Sequence, residues 1–353
     1  MTLEETLNKI TLPNKREMEK AKSRLDKMAK PLGSFGEIEN IIIKSAGILG
    51  AEKLSFKKKC VVVFCADNGV VDEGISQSKS DVTAIVAKKI SQGKGNINSV
   101  ARAVSADVFC VDVGMKEDVF VDGLEIKKLS HGTNNMLVSS AMTREACVSA
   151  IEIGINKAEK LIENGYELLS CGEMGIGNTS TSLAVASSLL GLDCKDYVGF
   201  GAGLSPDLIT KKANVIEAAI NRNLPNKKDT IDVLSKVGGF DICAMTGFYL
   251  GASALKKPVI IDGVISSVSA LCAFLLNKNV REYLFPSHLS REKMMKKVME
   301  ALELKPVLDL GMYLGEGTGA VSLMPIFDIA ERVYKEMGTF DDFKIKMYED
   351  YRG

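Results

Sequence analysis

The chain contains no tryptophan and only two histidines, His131 and His288, among 353 residues. Zinc sites draw on several His or Cys side chains at short spacing, so an imidazole-based metal centre is not expected. Neither histidine has a serine or cysteine partner at a recognisable spacing, which disfavours a hydrolase triad. The eight cysteines (Cys60, Cys65, Cys110, Cys147, Cys171, Cys194, Cys243 and Cys272) are scattered, mostly inside apolar runs, and no C-x-x-C occurs. Zinc knuckles and a disulfide framework are both excluded, and buried reduced thiols in a cytoplasmic protein are expected. Net charge is missing too: 45 Lys and Arg balance 45 Asp and Glu. No general field therefore draws nucleic acid or an anionic membrane, and the expected partners are small molecules. A long uninterrupted apolar run is also absent, since VIIDGVISSVSALCAFLL is broken by Asp262 and Gly263, and the N-terminal MTLEETLNKI is acidic where a signal peptide is basic. Neither a membrane span nor a leader is expected.

What the chain does have is glycine in particular places. GEMGIGNTSTS, from Gly172 to Ser182, follows the apolar segment ENGYELLSC and precedes the helix-like TSTSLAVASSLLG. Glycines at 172, 175 and 177 let backbone amides come close to a ligand where a strand becomes a helix, and phosphate is the natural guest. Asn178 and Thr179 are expected to cap that helix and donate to the anion, with the Glu173 carboxylate beside the same opening. LGEGTGAVSL, from Leu314 to Leu323, repeats the design: glycines around Glu316, then an amphipathic helix through Tyr334.

The rest reads as alternating strands and helices, which predicts an α/β fold with a mainly parallel sheet. Residues 2 to 30 read as two helices broken by Pro13, and Ser34 with Glu37 reads as a capping box opening a third. CVVVFCADNGV is a β-branched run of the kind found in buried parallel strands, ending in Asp67, Asn68 and Gly69. Helices are expected from Asp81 to Gln92 and from Thr143 to Asn164, and a second strand at DVFCVDVGM. Ser205 and Pro206 open a helix carrying Lys212, a lysine placed to reach a phosphate. Asp67, Asp112 and Asp262 all end strands; they could converge on Mg²⁺ or hold loops and caps, and the structural role is preferred. His288 is expected at a helix N-terminus and His131 in a polar loop. No G-x-G-x-x-G follows the first strand, which weighs against a nicotinamide dehydrogenase.

KPLGSFGEIE, FCADNGVVDEGIS, GTNN, GEMGIGNTS, GAGLS, GGFDICAMTG, PVIIDGV, SHLS and LGEGTGA, in that order, resemble the nicotinate-nucleotide:dimethylbenzimidazole phosphoribosyltransferases, which make the lower-ligand nucleotide of cobalamin. Ordered blocks along nearly the whole chain are far more specific than any one of them. The resemblance implies a Rossmann-like three-layer parallel sheet with flanking helices over residues 51–319. It further implies a small helical domain from 1–50 and 320–353, and a homodimer in which that domain closes the partner's cavity. The implied reaction moves phosphoribose from nicotinate mononucleotide to a base such as 5,6-dimethylbenzimidazole. Matching residue by residue, Glu316 falls on the general base and Glu173 on a second active-site carboxylate. Gly175, Gly177, Asn178, Lys212, Gly315 and Gly317 fall on the ribose-phosphate site, and Ser78 and Val86 on the acceptor-base pocket. No metal and no cofactor are implied, and no acidic run resembles the pyrophosphate-ribose loop of ordinary phosphoribosyltransferases.

The sequence departs from the family at Asn68, where a histidine is usual, at Val86, where a glutamine is common, and at Phe200-Gly201-Ala202-Gly203 in place of R-G-T-G. Losing an amide from the pocket changes which edge groups can be satisfied, so the preferred acceptor could be another benzimidazole, adenine or a phenol. A non-catalytic nucleotide or phosphate sensor is the competing reading, and an oxidoreductase on a similar sheet a third.

Overall fold

The β-branched run Lys59–Ala66 forms β1, buried along its whole length because a strand flanks each edge and helices cover both faces. This arrangement comes from a computed structural model that describes residues 1–199 and 205–348, so the departure at Phe200-Gly201-Ala202-Gly203 lies outside the described residues. The other strands are β2 Ala106–Gly114, β3 Leu124–Ile126, β4 Leu168–Met174, β5 Val259–Ile261 and β6 Leu284–Pro286. They form one six-stranded sheet in the order β3-β2-β1-β4-β5-β6, with every pairing parallel. The expected α/β parallel sheet with flanking helices is what the chain adopts. Neither β3 nor β6 was expected: each is three residues long and, unlike VII of β5, neither LEI nor LFP is a run of β-branched residues.

Side chains alternate across a strand, so β1 identifies the two helical layers. Val61 lies against Gly317 at the start of the helix Thr318–Glu336, whereas Phe64, on the opposite face, packs edge-on to Phe248 of the helix Phe240–Ala254 at 5.9 Å between centroids. The chain leaves β1 towards β2 on one side and leaves β4 towards β5 on the other. This reversal opens a crevice at the C-terminal ends of β1 and β4, the usual place for a ligand in an open parallel sheet.

At the N-terminus the helices Leu3–Lys9, Lys15–Lys27 and Glu37–Leu49 form as expected, with Asn14 capping the second. The Ser34–Glu37 capping box does not. Gly36, at φ 53°, is the N-cap of the third helix and no side chain caps it. Lys30 and Glu39 of KPLGSFGEIE are instead a buried ion pair at 2.9 Å, which ties the turn to the helix it precedes. The two chain ends meet: Arg24 Nε donates to the Tyr334 carbonyl at 2.7 Å, and Met28 bridges Thr339. Both ends also reach the main layers, since Leu3 N donates to Glu152 and Phe327 packs on Phe56 and Phe285. Among the described residues no helix is long and apolar enough to cross a membrane.

Candidate active site

β4 delivers Glu173 and Met174 to the crevice, and the chain then turns through Gly175, Ile176 and Gly177 into the helix Asn178–Leu190. Gly177, at φ 92°, takes the left-handed N-cap position, so Asn178 is the first helical residue and not the cap. Among the described residues, the N–H groups of Gly177 and Thr179 have no acceptor. Two free donors at a helix start form a ready anion site. Lys212, buried on the helix Pro206–Asn223, donates to the Thr179 hydroxyl at 2.7 Å. Burial pulls its ammonium down to about 8, against the opposing charge of Glu292. A phosphate would restore to that lysine the charge partner that desolvation makes it need.

The second glycine loop folds onto the first. A side chain at Gly172 would fall 2.1 Å from Gly317 N and 2.4 Å from Glu316 C, so the backbones of GEMGIG and GEGTG are in contact. Gly315, Glu316 and Gly317 have φ values of 88°, 59° and 84° in succession. Glycine tolerates that region; for glutamate it costs roughly 1–2 kcal/mol. A strained acidic residue between two glycines marks a side chain whose direction matters more than its comfort. Its carboxylate accepts from Asn96 Nδ2 at 3.0 Å and Ile97 N at 3.2 Å, at the start of the helix Asn96–Ala103. Asn96 was not among the sequence candidates, and nothing in its local pattern marks it.

A cavity of about 580 Å³ opens here, lined by Glu173, Gly175 to Thr179, Gly315, Tyr313, Asp262 and His288, among others. Its volume suits a nucleotide-sized ligand. Lys212, Glu316, Gly317, Ser78 and Val86 are not among its lining residues. Lys212 reaches its wall through Thr179, and Glu316 stands next to lining Gly315. Ser78 N donates to the hydroxyl of lining Ser76 at 3.3 Å. Val86 is half-buried against the core, one turn along the helix Asp81–Ser91 from Thr83, whose hydroxyl accepts from Ile176 N at 3.1 Å.

Two expectations are corrected. Asn178 does not hold its amide out to an anion: Nδ2 donates to Glu173 Oε2 and, at 3.0 Å, to Asp241 Oδ2. His288 is not at a helix N-terminus. It follows β6, is buried in the cavity wall, and pairs Nδ1 with Ser287 Oγ at 3.0 Å. The SHLS block contained it, but a single histidine in a loop carries no local sign of burial.

The strand-end aspartates hold structure, as preferred. Asp67 accepts from Thr83 Oγ1 at 2.6 Å and Lys116 N at 2.8 Å, and Asp112 accepts from Gly114 N at 3.0 Å and Met115 N at 2.8 Å. Asp262 accepts from Gly317 N and Ala320 N, both at 3.0 Å, and so pins the GEGTG loop and its helix to the end of β5. Among the described residues no three His, Cys, Asp or Glu side chains are grouped to hold a metal ion.

Burial, then the charge of Asp241, pushes Glu173 up to about 8, with Asp262 and Glu316 adding to the rise. The unfolded carboxyl titrates near 4.5, so the charged form is penalised in the fold. That penalty is absent below about pH 4.5 and grows until pH passes about 8. Glu173→Gln should therefore gain stability relative to the parent as pH rises, by about 1–3 kcal/mol at pH 9 and little at pH 4.5. Thermal melts at the two pH values check this; an equal difference at both would show that Glu173 is not held protonated.

A phosphoribosyltransferase family profile matches residues 10–345 of the chain. The chain is 47% identical over 349 residues, 99% of each protein, to the nicotinate-nucleotide–dimethylbenzimidazole phosphoribosyltransferase of Ruminiclostridium cellulolyticum. It is 45% identical over 345 residues, 98% of each, to that of Acetivibrio thermocellus. Its structure is similar to the crystal structure of CobT from Thermus thermophilus, with a TM-score of 0.90 at 34% identity, covering 94% of this chain and 100% of that one.

Proposed function

The chain belongs to the nicotinate-nucleotide–dimethylbenzimidazole phosphoribosyltransferase family, and from that premise we propose how its cavity performs the transfer. The enzyme moves phosphoribose from nicotinate mononucleotide to 5,6-dimethylbenzimidazole or a related base, in assembly of the cobalamin lower ligand. The phosphate sits on the free N–H groups of Gly177 and Thr179, with the Lys212 ammonium behind Thr179. The ribose then lies over Glu173 and Gly315.

Nicotinate is joined to C1' as a pyridinium and departs with a neutral ring, so its side needs no acid. When one imidazole nitrogen of the acceptor attacks C1', the other N–H becomes acidic, and Glu316 takes that proton. Attack opposite the departing ring inverts C1' through an oxocarbenium-like transition state that nearby carboxylates stabilise. Ser78 and Val86 flank the acceptor through Ser76 and the Thr83–Ile176 contact.

The observation that supports this reading most is the backbone contact of Gly172 with Glu316 and Gly317, which sets the loop carrying Glu316 against the strand carrying Glu173. We further assign residues 1–50 and 320–353 to a small helical unit, supported by the Arg24–Tyr334 and Met28–Thr339 contacts, and the protein to a homodimer. A cytoplasmic setting accords with eight free, buried thiols.

The test is incubation with nicotinate mononucleotide and a panel of dimethylbenzimidazole, benzimidazole, adenine and phenol. Nicotinate release should require an added base and be unaffected by EDTA. Saturable nucleotide binding without any product would favour a sensor instead.

A further inference from the structure

Asp241 lies in the GGFDICAMTG block, was not singled out as a site residue, and is fully buried. It is the second residue of the helix Phe240–Ala254, beneath the floor of the cavity. Its Oδ1 accepts from Ile242 N at 3.0 Å and its Oδ2 from Asn178 Nδ2 at 3.0 Å. The room it occupies is kept by glycines. A side chain at Gly239 would fall 2.5 Å from Oδ1, and one at Gly175 would fall 2.9 Å from Oδ2. The absent side chain of Gly175 thus makes space for a carboxylate below the loop as well as bringing the loop close to a ligand.

The Asn178 amide nitrogen has two hydrogens, and two carboxylates take them. A primary amide has nothing further to donate, only an oxygen that accepts. Asn178 lines the cavity, and its Oδ1 has no partner among the described residues. Glu173 Oε1 is likewise without a partner, and it stands over Gly315, whose added Cβ would lie 2.7 Å away.

We propose that Asp241 is a positioning residue: by accepting from Nδ2 it holds the Asn178 amide nitrogen inward, so that Asn178 Oδ1 and Glu173 Oε1 face the sugar hydroxyls of the nucleotide, and the phosphate is held without the Asn178 side chain. This rests on the transferase reading for the identity of the nucleotide. An ionised carboxylate can only accept, so an amide turned the other way would set oxygen against oxygen. The charge environment agrees with this division. Burial pushes Asp241 up only to about 6, leaving it charged at neutral pH, while Glu173, pushed up to about 8, keeps its proton. With Oε2 accepting from Asn178, that proton belongs on Oε1, where a sugar oxygen can receive it.

The charges facing this pair come from several elements. Asp67 at the end of β1 acts on Asp241, and Asp262 after β5 and Glu316 before the helix Thr318–Glu336 act on Glu173. His288 and Glu292 line the same cavity, and Lys212 stands behind Thr179.

The experiment compares the parent with Asp241→Asn and Asn178→Ala. The parent must first show base-dependent nicotinate release; without it the transferase reading fails, and this inference is not what has been refuted. In Asp241→Asn, KM for nicotinate mononucleotide should rise about tenfold with a smaller change in kcat. The alkaline limb of kcat/KM should move to lower pH by roughly one unit, because a like charge beside Glu173 is gone. Asn178→Ala should raise KM similarly, and the double variant should add little to either single one. Inorganic phosphate should inhibit the parent and Asn178→Ala with the same Ki. A proportional loss of activity and Tm with KM and pH profile unmoved would make Asp241 merely structural and overturn the proposal. A weakened phosphate Ki in Asn178→Ala would overturn it as well, by returning the amide to the phosphate.

Discussion

Glu316→Gln should lower base-dependent turnover by about two orders of magnitude or more at saturating substrates, while the dissociation constant for nicotinate mononucleotide changes by less than about threefold. The amide has nearly the same shape and leaves the left-handed backbone between Gly315 and Gly317 in place, but it cannot accept the acceptor's proton. One structural effect has to be separated from this. The carboxylate takes hydrogen bonds from both Asn96 Nδ2 and Ile97 N, whereas the single oxygen of a glutamine serves them less well. Asn96→Ala removes one of those bonds and keeps the carboxylate, so its loss should be far smaller, about tenfold at most. Comparable losses in the two variants would make Glu316 an anchor for the helix Asn96–Ala103 and not a base. Near-normal turnover in Glu316→Gln would remove it from the reaction altogether.

Gly172→Ala should be the most damaging single methyl in the protein's active-site loops. Its Cβ would lie 2.1, 2.4 and 2.6 Å from Gly317 N, Glu316 C and Gly317 Cα. These are backbone atoms of a loop that Asp262 holds through Gly317 N and Ala320 N and that presses Gly317 against Val61, so they cannot swing aside as a side-chain tip would. Either the loop lifts away from β4, separating Glu316 from Glu173, or β4 yields. We expect kcat/KM to fall by about two orders of magnitude or more, and stability by about 1–3 kcal/mol, the usual cost of overpacking. Gly165→Ala is the control. At φ 84° it strains the backbone, yet its Cβ would meet nothing within 4 Å. It should cost about 1 kcal/mol and leave kcat/KM unchanged. Wild-type kinetics in Gly172→Ala would mean that the two loops need not touch for catalysis.

How much of this was legible in advance differs from residue to residue. The parallel sheet was, because CVVVFC is apolar on both faces and only a strand covered on both sides buries such a run. Lys212 was placed on the right helix by Ser205 and Pro206, which open it by local rules. Of the strand-end aspartates only Asp112 follows a local rule, taking the N–H groups of the turn after its strand, whereas Asp67 reaches Lys116 N and Asp262 reaches Gly317 N and Ala320 N, partners far along the chain. Asn178 was misread. As the first polar residue after a glycine turn it looks like a cap, but its amide is claimed by Asp241, 63 residues later. His288 was misread for a similar reason: its ring packs against Gly319 at the start of the helix Thr318–Glu336, a contact made far along the chain, and β6 is too short to announce itself.

The sequence alone determined the kind of parts present: apolar strands, glycine turns with a glutamate at each, and a lysine one helix away. Their order and spacing are enough for this, because backbone conformation, strand burial and helix starts depend on neighbours within a few residues. Tertiary structure decided which groups share a hydrogen bond. It set Gly172 under Gly317, turned the Asn178 amide inward onto Asp241, and gave Glu316 to the start of another helix. Those pairings join segments far apart in the chain, and the proton a carboxyl keeps depends on which other charges the fold buries beside it.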